Sequence, residues 1–335
     1  MLTATTIRCP APIAIIGGGI SGLAAAYELT TRGTPFVLFE RALRLGGVVH
    51  TERIDGYTID GGPDALLTQK PAALDLCAAL GLAARLQPQA ARATFVVRDG
   101  RLRRLPEASV LGIPTRWMPF VTTDAFSLRG KLRMAAESLL PRGAPTGDES
   151  IASFVGRRFG REAVDYLAEP LLAGIHGGDP ARLSMRLSFP RLLELEARHR
   201  SVIVGLRKSS RSRQQQTSGA PPFVALPGGM AELTDALACA VPAASIRRGV
   251  SVRSLERTIN GFVLRLPDGA SQEARAVLLA LPPPAASRIV ESFDRDLDIL
   301  IARIRMASVA TVALGYRRDA VGGGTRRRRL RRPAA

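Results

Sequence analysis

The stretch Ile13–Leu29, IAIIGGGISGLAAAYEL, decides the fold. Ile13, Ala14, Ile15 and Ile16 form the apolar run that a parallel strand needs when both of its faces are covered. Gly17-x-Gly19-x-x-Gly22 follows. The first glycine permits a tight turn, the second lets backbone approach a pyrophosphate, and the third lets the next helix pack close to the strand. The helix SGLAAAYELTTRG turns small residues toward the sheet, and Gly33 ends it as a C-cap would. Its N-terminal amides and dipole provide an anion site. PFVLFE, residues 35–40, then reads as a second buried strand ending in an acid. Glu40 lies 18 residues past Gly22, where a carboxylate accepts hydrogen bonds from a ribose diol. Strand, turn, helix, strand and acid arrive in order within one βαβ unit, which predicts a cofactor containing ADP-ribose. The plainer alternative is a glycine turn that binds nothing.

At 335 residues the chain has room for two domains, or for one large domain with insertions. The three cysteines, Cys9, Cys77 and Cys239, form no C-x-x-C pair. That argues against a zinc site or a disulfide framework and fits a reducing compartment, so a cytoplasmic location is expected. No apolar run reaches the roughly 18 to 20 residues of a membrane-spanning helix. The N-terminal apolar stretch is cut by Pro10, Pro12 and three glycines that belong to the motif, so no signal peptide is expected there. The net charge of +18 suggests nucleic acid at first sight. Residues 316–335 alone hold eight arginines and one aspartate, however, and aromatic residues make up only 5% of the chain. A base-stacking surface would interleave aromatics with its cations. Attraction to an anionic substrate or lipid is the better use of the charge.

Beyond Glu40 the chain gives RALRLGGVVHTERIDGYTIDGGPDALLTQKP, with a second glycine turn at Arg44, Gly46 and Gly47 and a third from Gly56 to Pro63. Here the sequence resembles the flavin-containing amine oxidase superfamily, in which the Arg-x-Gly-Gly element lies along the FAD. GGPDALLTQKP, EPLLAGIHGGDPARLSM, FVALPGGMAEL, VLLALPPPAASRIV and SVATVALGYRR are similar to oxygen-dependent protoporphyrinogen oxidases and their bacterial coproporphyrinogen-oxidising relatives. The resemblance runs from about Ile13 to Arg318. Each piece also has a bland reading: GIHGGDP is a loop whose glycines need mean only positive φ, His176 a surface imidazole, and FVALPGGM a strand followed by a helix start.

The expected architecture is α/β: a discontinuous Rossmann-like FAD-binding domain with a mostly helical insertion and a partial substrate domain. Residues 1–95 hold the first part of the FAD domain, and 96–207 a helical insertion. SLRGKLRMAAESLL and ESIASFVGRRFGREAVDYLAEPLL are its clearest amphipathic runs, and Asp148 or Ser150 is placed to cap the second. Residues 208–221, KSSRSRQQQTSGAP, read as a flexible loop. The FAD domain returns over 222–290, with an Asp268-Gly269 hairpin between GFVLRLPDG and AVLLALPPP. Residues 291–318 begin a substrate domain, and 319–335 form a basic tail foreign to the fold.

The resemblance implies FAD as cofactor, a porphyrinogen (protoporphyrinogen IX or coproporphyrinogen III) as substrate, and oxygen as acceptor. FAD would take hydride from a carbon bridge while a pyrrole N–H loses its proton, within haem biosynthesis. Gly17, Gly19, Gly22, Glu40, Arg44, Gly46, Gly47 and Val252 are the expected cofactor-binding residues; Val252 comes from the match of GVSVRSLE to a segment whose backbone contacts adenine. No catalytic side chain and no metal ligand is assigned, because the hard chemistry belongs to the flavin. Substrate propionates want arginine. The position of the propionate-pairing arginine is Thr94 here, with Arg92 two residues away as its substitute. Gly174 would line the site and admit a flat ring. By resemblance the helical insertion also touches membrane, and Arg129, Lys131, Arg133, Arg157, Arg158 and Arg161 suit anionic headgroups on the inner face; solvated arginines are the alternative.

The family continues for more than a hundred residues after the point where GGTRRRRLRRPAA ends this sequence. A truncated chain is therefore expected, whose activity need not survive. A frame-shifted reading of an arginine-rich gene and a genuine phosphate-binding tail both account for the arginines. Two other functions stay open: another flavoprotein of the superfamily, such as an amine oxidase or carotenoid desaturase, or a non-catalytic nucleotide- or nucleic-acid-binding protein.

Overall fold

The computed structural model describes residues 11–89, 95–104, 109–110, 113–114, 117–143, 147–170, 178–216 and 221–317. Within these residues the chain divides into two compact units. One takes the chain to residue 89 and again over 221–306 and 310–317; the other takes 95–216 and 307–309.

The first unit is built on a four-stranded parallel sheet in the order Ile246–Arg248, Phe36–Glu40, Ile13–Ile16, Ala276–Leu279. Ile13 pairs with Phe36 on one side and Ala276 on the other, so the opening strand lies in the middle of the sheet. Its alternate side chains enter two separate cores. Ala14 and Ile16 join Val37, Phe39, Val252, Leu255 and Leu264, while Ile15 joins Leu38, Leu23, Ala26 and Leu237. Burial on both faces is why the strand reads as an unbroken apolar run. Helix Ile20–Thr31 buries Gly22, Leu23 and Ala26, and Gly33 with φ +62 follows its end.

Two sequence expectations change here. Tyr57–Asp60, taken as part of a glycine turn, is a strand paired antiparallel with Thr51–Ile54. Asp55 (φ 49) and Gly56 (φ +78) supply the two positive-φ residues of the connecting turn. The Asp268-Gly269 turn does join two strands, but Gly261–Arg265 pairs with Ser271–Ala274 rather than with AVLLALPPP. Ser271–Ala274 buries only Ala274, so no hydrophobic run announces it. The chain then enters the parallel sheet, with the Arg275 amide donating to the Pro12 carbonyl at 3.1 Å.

The second unit is mostly helical around Phe120, Phe126, Met134, Phe154, Phe159, Leu167, Met185 and Ile203. Ser127 and Ser150 cap their helices, accepting from Gly130 N at 2.9 Å and Ser153 N at 3.2 Å. The second amphipathic run breaks at Gly160, whose φ of +93 ends helix Ile151–Phe159. The expected loop over 208–221 is also corrected: helix Val202–Gln216 runs through most of it. Arg, Lys and Gln are good helix formers, and the apolar first turn anchors them.

The basic patches are largely consumed inside this unit. Arg158 is 1% exposed and pairs with Glu137, itself fully buried. Its Nη1 donates to the Pro141 carbonyl (2.8 Å) and its Nη2 to the Arg200 carbonyl (2.8 Å). Glu137 also accepts from Ser201 Oγ and from Val202 N at 2.9 Å, and so caps the last helix from outside. Arg157 bridges Glu149 and Glu196 with four hydrogen bonds of 2.6–2.9 Å. Arg133 donates to the carbonyls of Arg157 (2.7 Å) and Arg158 (3.0 Å). Burial pushes the Glu196 carboxyl up, but the Arg157 hydrogen bond, the Gly143 amide and the two arginine charges outweigh it and hold it below the usual range. Lys131 donates to the Val121 carbonyl of the preceding helix at 2.7 Å, so four of the six cations assigned to headgroups tie helices together.

Glu137→Gln would leave the buried Arg158 with only its longer contact to Glu196, at 3.4 Å, to balance its charge. It should destabilise the helical unit by about 3–5 kcal/mol in urea unfolding, whereas a loss below about 1 kcal/mol would mean the pair behaves as an exposed one.

Candidate cofactor-binding site

The site forms where the parallel strands end. The Gly17 amide donates to the Phe39 carbonyl at 2.8 Å, and the Ala280 amide to the Ile16 carbonyl at 2.9 Å, so three strand ends converge on the first turn. Gly17 has φ +110, and a Cβ there would run into the Ala280 carbonyl oxygen. A Cβ on Gly22 would strike the carbonyl oxygen of Gly17. On Gly18 it would come within 2.7 Å of Leu45 Cδ2 and 2.8 Å of Glu40 Cβ. These three glycines are required by the protein's own packing.

Gly19 differs. Its φ of −71 suits any residue, and the nearest atom to a Cβ there is Gly47 Cα at 3.8 Å. Nothing among the described residues demands a glycine at this place, and a Cβ there would enter open space beside the turn. Gly19 also opens helix Ile20–Thr31, which has no side-chain cap and no acid in its first turn. The leading amides of that helix lack intrahelical acceptors. A cradle of this kind fits a diphosphate.

The other expected cofactor residues gather around this turn. Glu40 is half-buried; its Oε2 accepts from Gly18 N at 2.7 Å and its Oε1 from Ala42 N at 2.8 Å. Each carboxylate oxygen retains further acceptor capacity. The second glycine turn lies directly against the first: Gly46 N donates to the Gly18 carbonyl at 2.8 Å, and a Cβ on Gly47 would sit 3.0 Å from Gly19 Cα. Gly46 (φ +99) and Gly47 (φ +60) both hold left-handed backbone. Arg44 is exposed and donates to three carbonyls of this turn. Val252 is buried against Val37 and Phe39, and its segment is led past the acid by Gly249 N to Ala42 O (3.1 Å) and Val250 N to Glu40 O (3.0 Å). Arg92, Thr94, Gly174 and His176 lie outside the described residues, as does the tail 319–335.

Three supports went unnoticed in the sequence. Gly18 counted only as a spacer, although the crowding by Glu40 and Leu45 requires it. Gly62 packs so closely on the Val48 carbonyl that a side chain would collide with it. The Thr51–Ile54 hairpin caps helix Ala231–Ala240: Asp60 Oδ1 accepts from Met230 N at 2.9 Å, and Thr51 Oγ1 from Ala231 N at 3.0 Å. That helix packs Thr234 against Gly46 and carries Glu232, which a bidentate Arg85 holds below the usual carboxylate range, with the Gly228 amide assisting. Thr-x₈-Asp across an Asp-Gly turn was the available signal, since it sets the two side chains on paired positions.

A parallel sheet with a glycine cradle, a ribose-side acid and a second glycine turn packed on the first defines a dinucleotide-binding unit. The description of the flavin containing amine oxidoreductases matches residues 20–330, and the chain belongs to this family. FAD is the cofactor for which that fold is made. The chain is 35% identical over 313 residues to coproporphyrinogen III oxidase of Bacillus subtilis (strain 168), covering 91% of this chain and 66% of that protein. A solved structure from Exiguobacterium sp. 255-15, provisionally named a protoporphyrinogen oxidase, superposes with a TM-score of 0.73 at 29% identity, over 87% of this chain and 64% of that one. Cyclohexylamine oxidase of Brevibacterium oxydans IH-35A shares the fold, with a TM-score of 0.59 at 21% identity, 88% of this chain and 63% of that one. The chain thus spans about two thirds of the length of these relatives.

Gly19→Ala should leave the far-ultraviolet circular dichroism and the urea midpoint unchanged while lowering FAD affinity at least about ten-fold, because the methyl fills the cradle. Gly22→Ala should lower the midpoint itself. Equal destabilisation by both variants would show that Gly19 also serves packing.

Proposed function

We propose that this chain carries the FAD-holding part of an oxygen-using oxidase that converts a porphyrinogen to the porphyrin in haem biosynthesis. Coproporphyrinogen III stands ahead of protoporphyrinogen IX as substrate, because the Bacillus subtilis relative carries that name. The nucleotide-binding half of the reading rests on one observation, the open Cβ position of Gly19 before a helix with no side-chain cap, and the flavin is supported by the family to which the chain belongs. FAD, when bound, supplies the two-electron acceptor that dioxygen re-oxidises to give hydrogen peroxide.

The chain's own residues divide the binding work. The leading amides of helix Ile20–Thr31 would hold the diphosphate, and Gly17 and Gly22 let that helix start close to the strand. Two backbone amides hold Glu40 in place to accept from the ribose hydroxyls. The Val252 backbone would contact the adenine, the role that the family resemblance gives its segment. Arg92 and Gly174 are the substrate-side residues that the family resemblance supplies.

Incubated with FAD and coproporphyrinogen III in air, the chain should produce fluorescent coproporphyrin and consume oxygen, with protoporphyrinogen IX slower. FAD-loaded protein that turns over a primary amine and leaves coproporphyrinogen III unchanged would contradict the substrate assignment and favour the amine-oxidase alternative.

The second unit presents Met118, Val121, Leu128, Leu132 and Leu139 to solvent, with Leu128 at 74% and Leu139 at 78% exposure. Arg129 is exposed among them. Among the described residues no helix is long and apolar enough to cross a membrane. An apolar patch with an exposed cation supports peripheral contact with an anionic bilayer. The chain should co-sediment with phosphatidylglycerol vesicles, and Leu128→Ser with Leu132→Ser should abolish this; unchanged sedimentation of the double variant would contradict the contact.

A further inference from the structure

Arg44 begins the Arg-x-Gly-Gly element, and a cation beside a diphosphate cradle invites the reading of a phosphate ligand. The geometry points elsewhere. Its Nη1 donates to the carbonyls of Leu45 (3.0 Å) and Val49 (3.1 Å), and its Nη2 to the carbonyl of Gly47 (2.7 Å). Three acceptors along one five-residue turn occupy both ends of the guanidinium fork. Among the described residues no carboxylate pairs with it.

We propose that Arg44 is a positioning residue: it braces the Leu45–Val49 turn that walls the cofactor cradle, and does not itself bind the cofactor's phosphates. The inference rests on the flavin reading and names how one wall of that site is held. The turn needs a brace because Gly46 and Gly47 both hold positive φ and, as glycines, have many other conformations open to them. Its own backbone bonds are few. Gly46 N donates to the Gly18 carbonyl at 2.8 Å, and Val49 N closes the turn on the Gly46 carbonyl at 3.1 Å. Through these the turn sets Gly47 against Gly19, the position that leaves room for the ligand. The planar fork of arginine reaches three carbonyls in fixed directions; a lysine ammonium at the same place is a point donor on a flexible stem. Charge at this position is therefore secondary to shape.

Charge-conserving substitution separates the two roles. Arg44→Lys and Arg44→Ala should weaken FAD binding alike, by about ten-fold, the scale that loss of one or two such hydrogen bonds implies. The salt dependence of binding should match the wild type in both, because no phosphate contact is lost. In the FAD-free chain, hydrogen exchange at the Gly46 and Val49 amides should quicken in both variants, while the Gly17 and Ala280 amides at the strand ends stay protected. Wild-type affinity in Arg44→Lys, with affinity and salt dependence lost only in Arg44→Ala, would overturn the proposal and make Arg44 a phosphate ligand. Unchanged exchange at Gly46 and Val49 would overturn it as well. Failure of the wild type to bind FAD at all would remove the flavin reading instead, and the exchange comparison would still decide whether Arg44 braces the turn.

Discussion

The contact on which the first unit depends is the approach of Gly22 to the carbonyl of Gly17. No side chain fits between them, and that closeness lets helix Ile20–Thr31 begin where the central strand stops. Helix, strand and turn then share one small volume, and the second glycine turn completes it by hydrogen bonding to Gly18. Any side chain at Gly17 or Gly22 would push helix from sheet and open both cores that flank the opening strand.

The second unit is organised on a different principle. Its helices meet around arginines taken out of solvent, with Arg158 and Glu137 at the centre and Arg157 spanning two glutamates beside them. Such pairs gain little over apolar packing, yet they are costly to break and so fix which helix ends meet. A high arginine content thus does structural work here and does not by itself mark a binding face.

Much of the first unit was legible because its signals are local and sterically strict. The apolar run at 13–16, the glycine spacing and the acid at 40 each have one dominant physical reading. What was hidden depended on long-range neighbours. Gly18 and Gly62 look like spacers until Glu40 and Val48 are seen against them. Arg157 and Arg158 look like surface cations because their partners, Glu137, Glu149 and Glu196, lie on other elements. Ser271–Ala274 pairs through its backbone, to which a hydropathy pattern is blind. The polar run after residue 207 resembled a loop by composition, although its residues favour helix once an apolar turn starts them.

The central claim is that the cradle at Gly19 receives the ADP half of FAD. Competitive titration tests it most directly: FAD bound to the purified chain, followed by its fluorescence, is challenged with ADP. The account predicts that excess ADP displaces FAD competitively, because the residues around Gly19 and Glu40 hold the part the two ligands share. Bound flavin that ADP fails to displace, or a chain that binds neither, would contradict it.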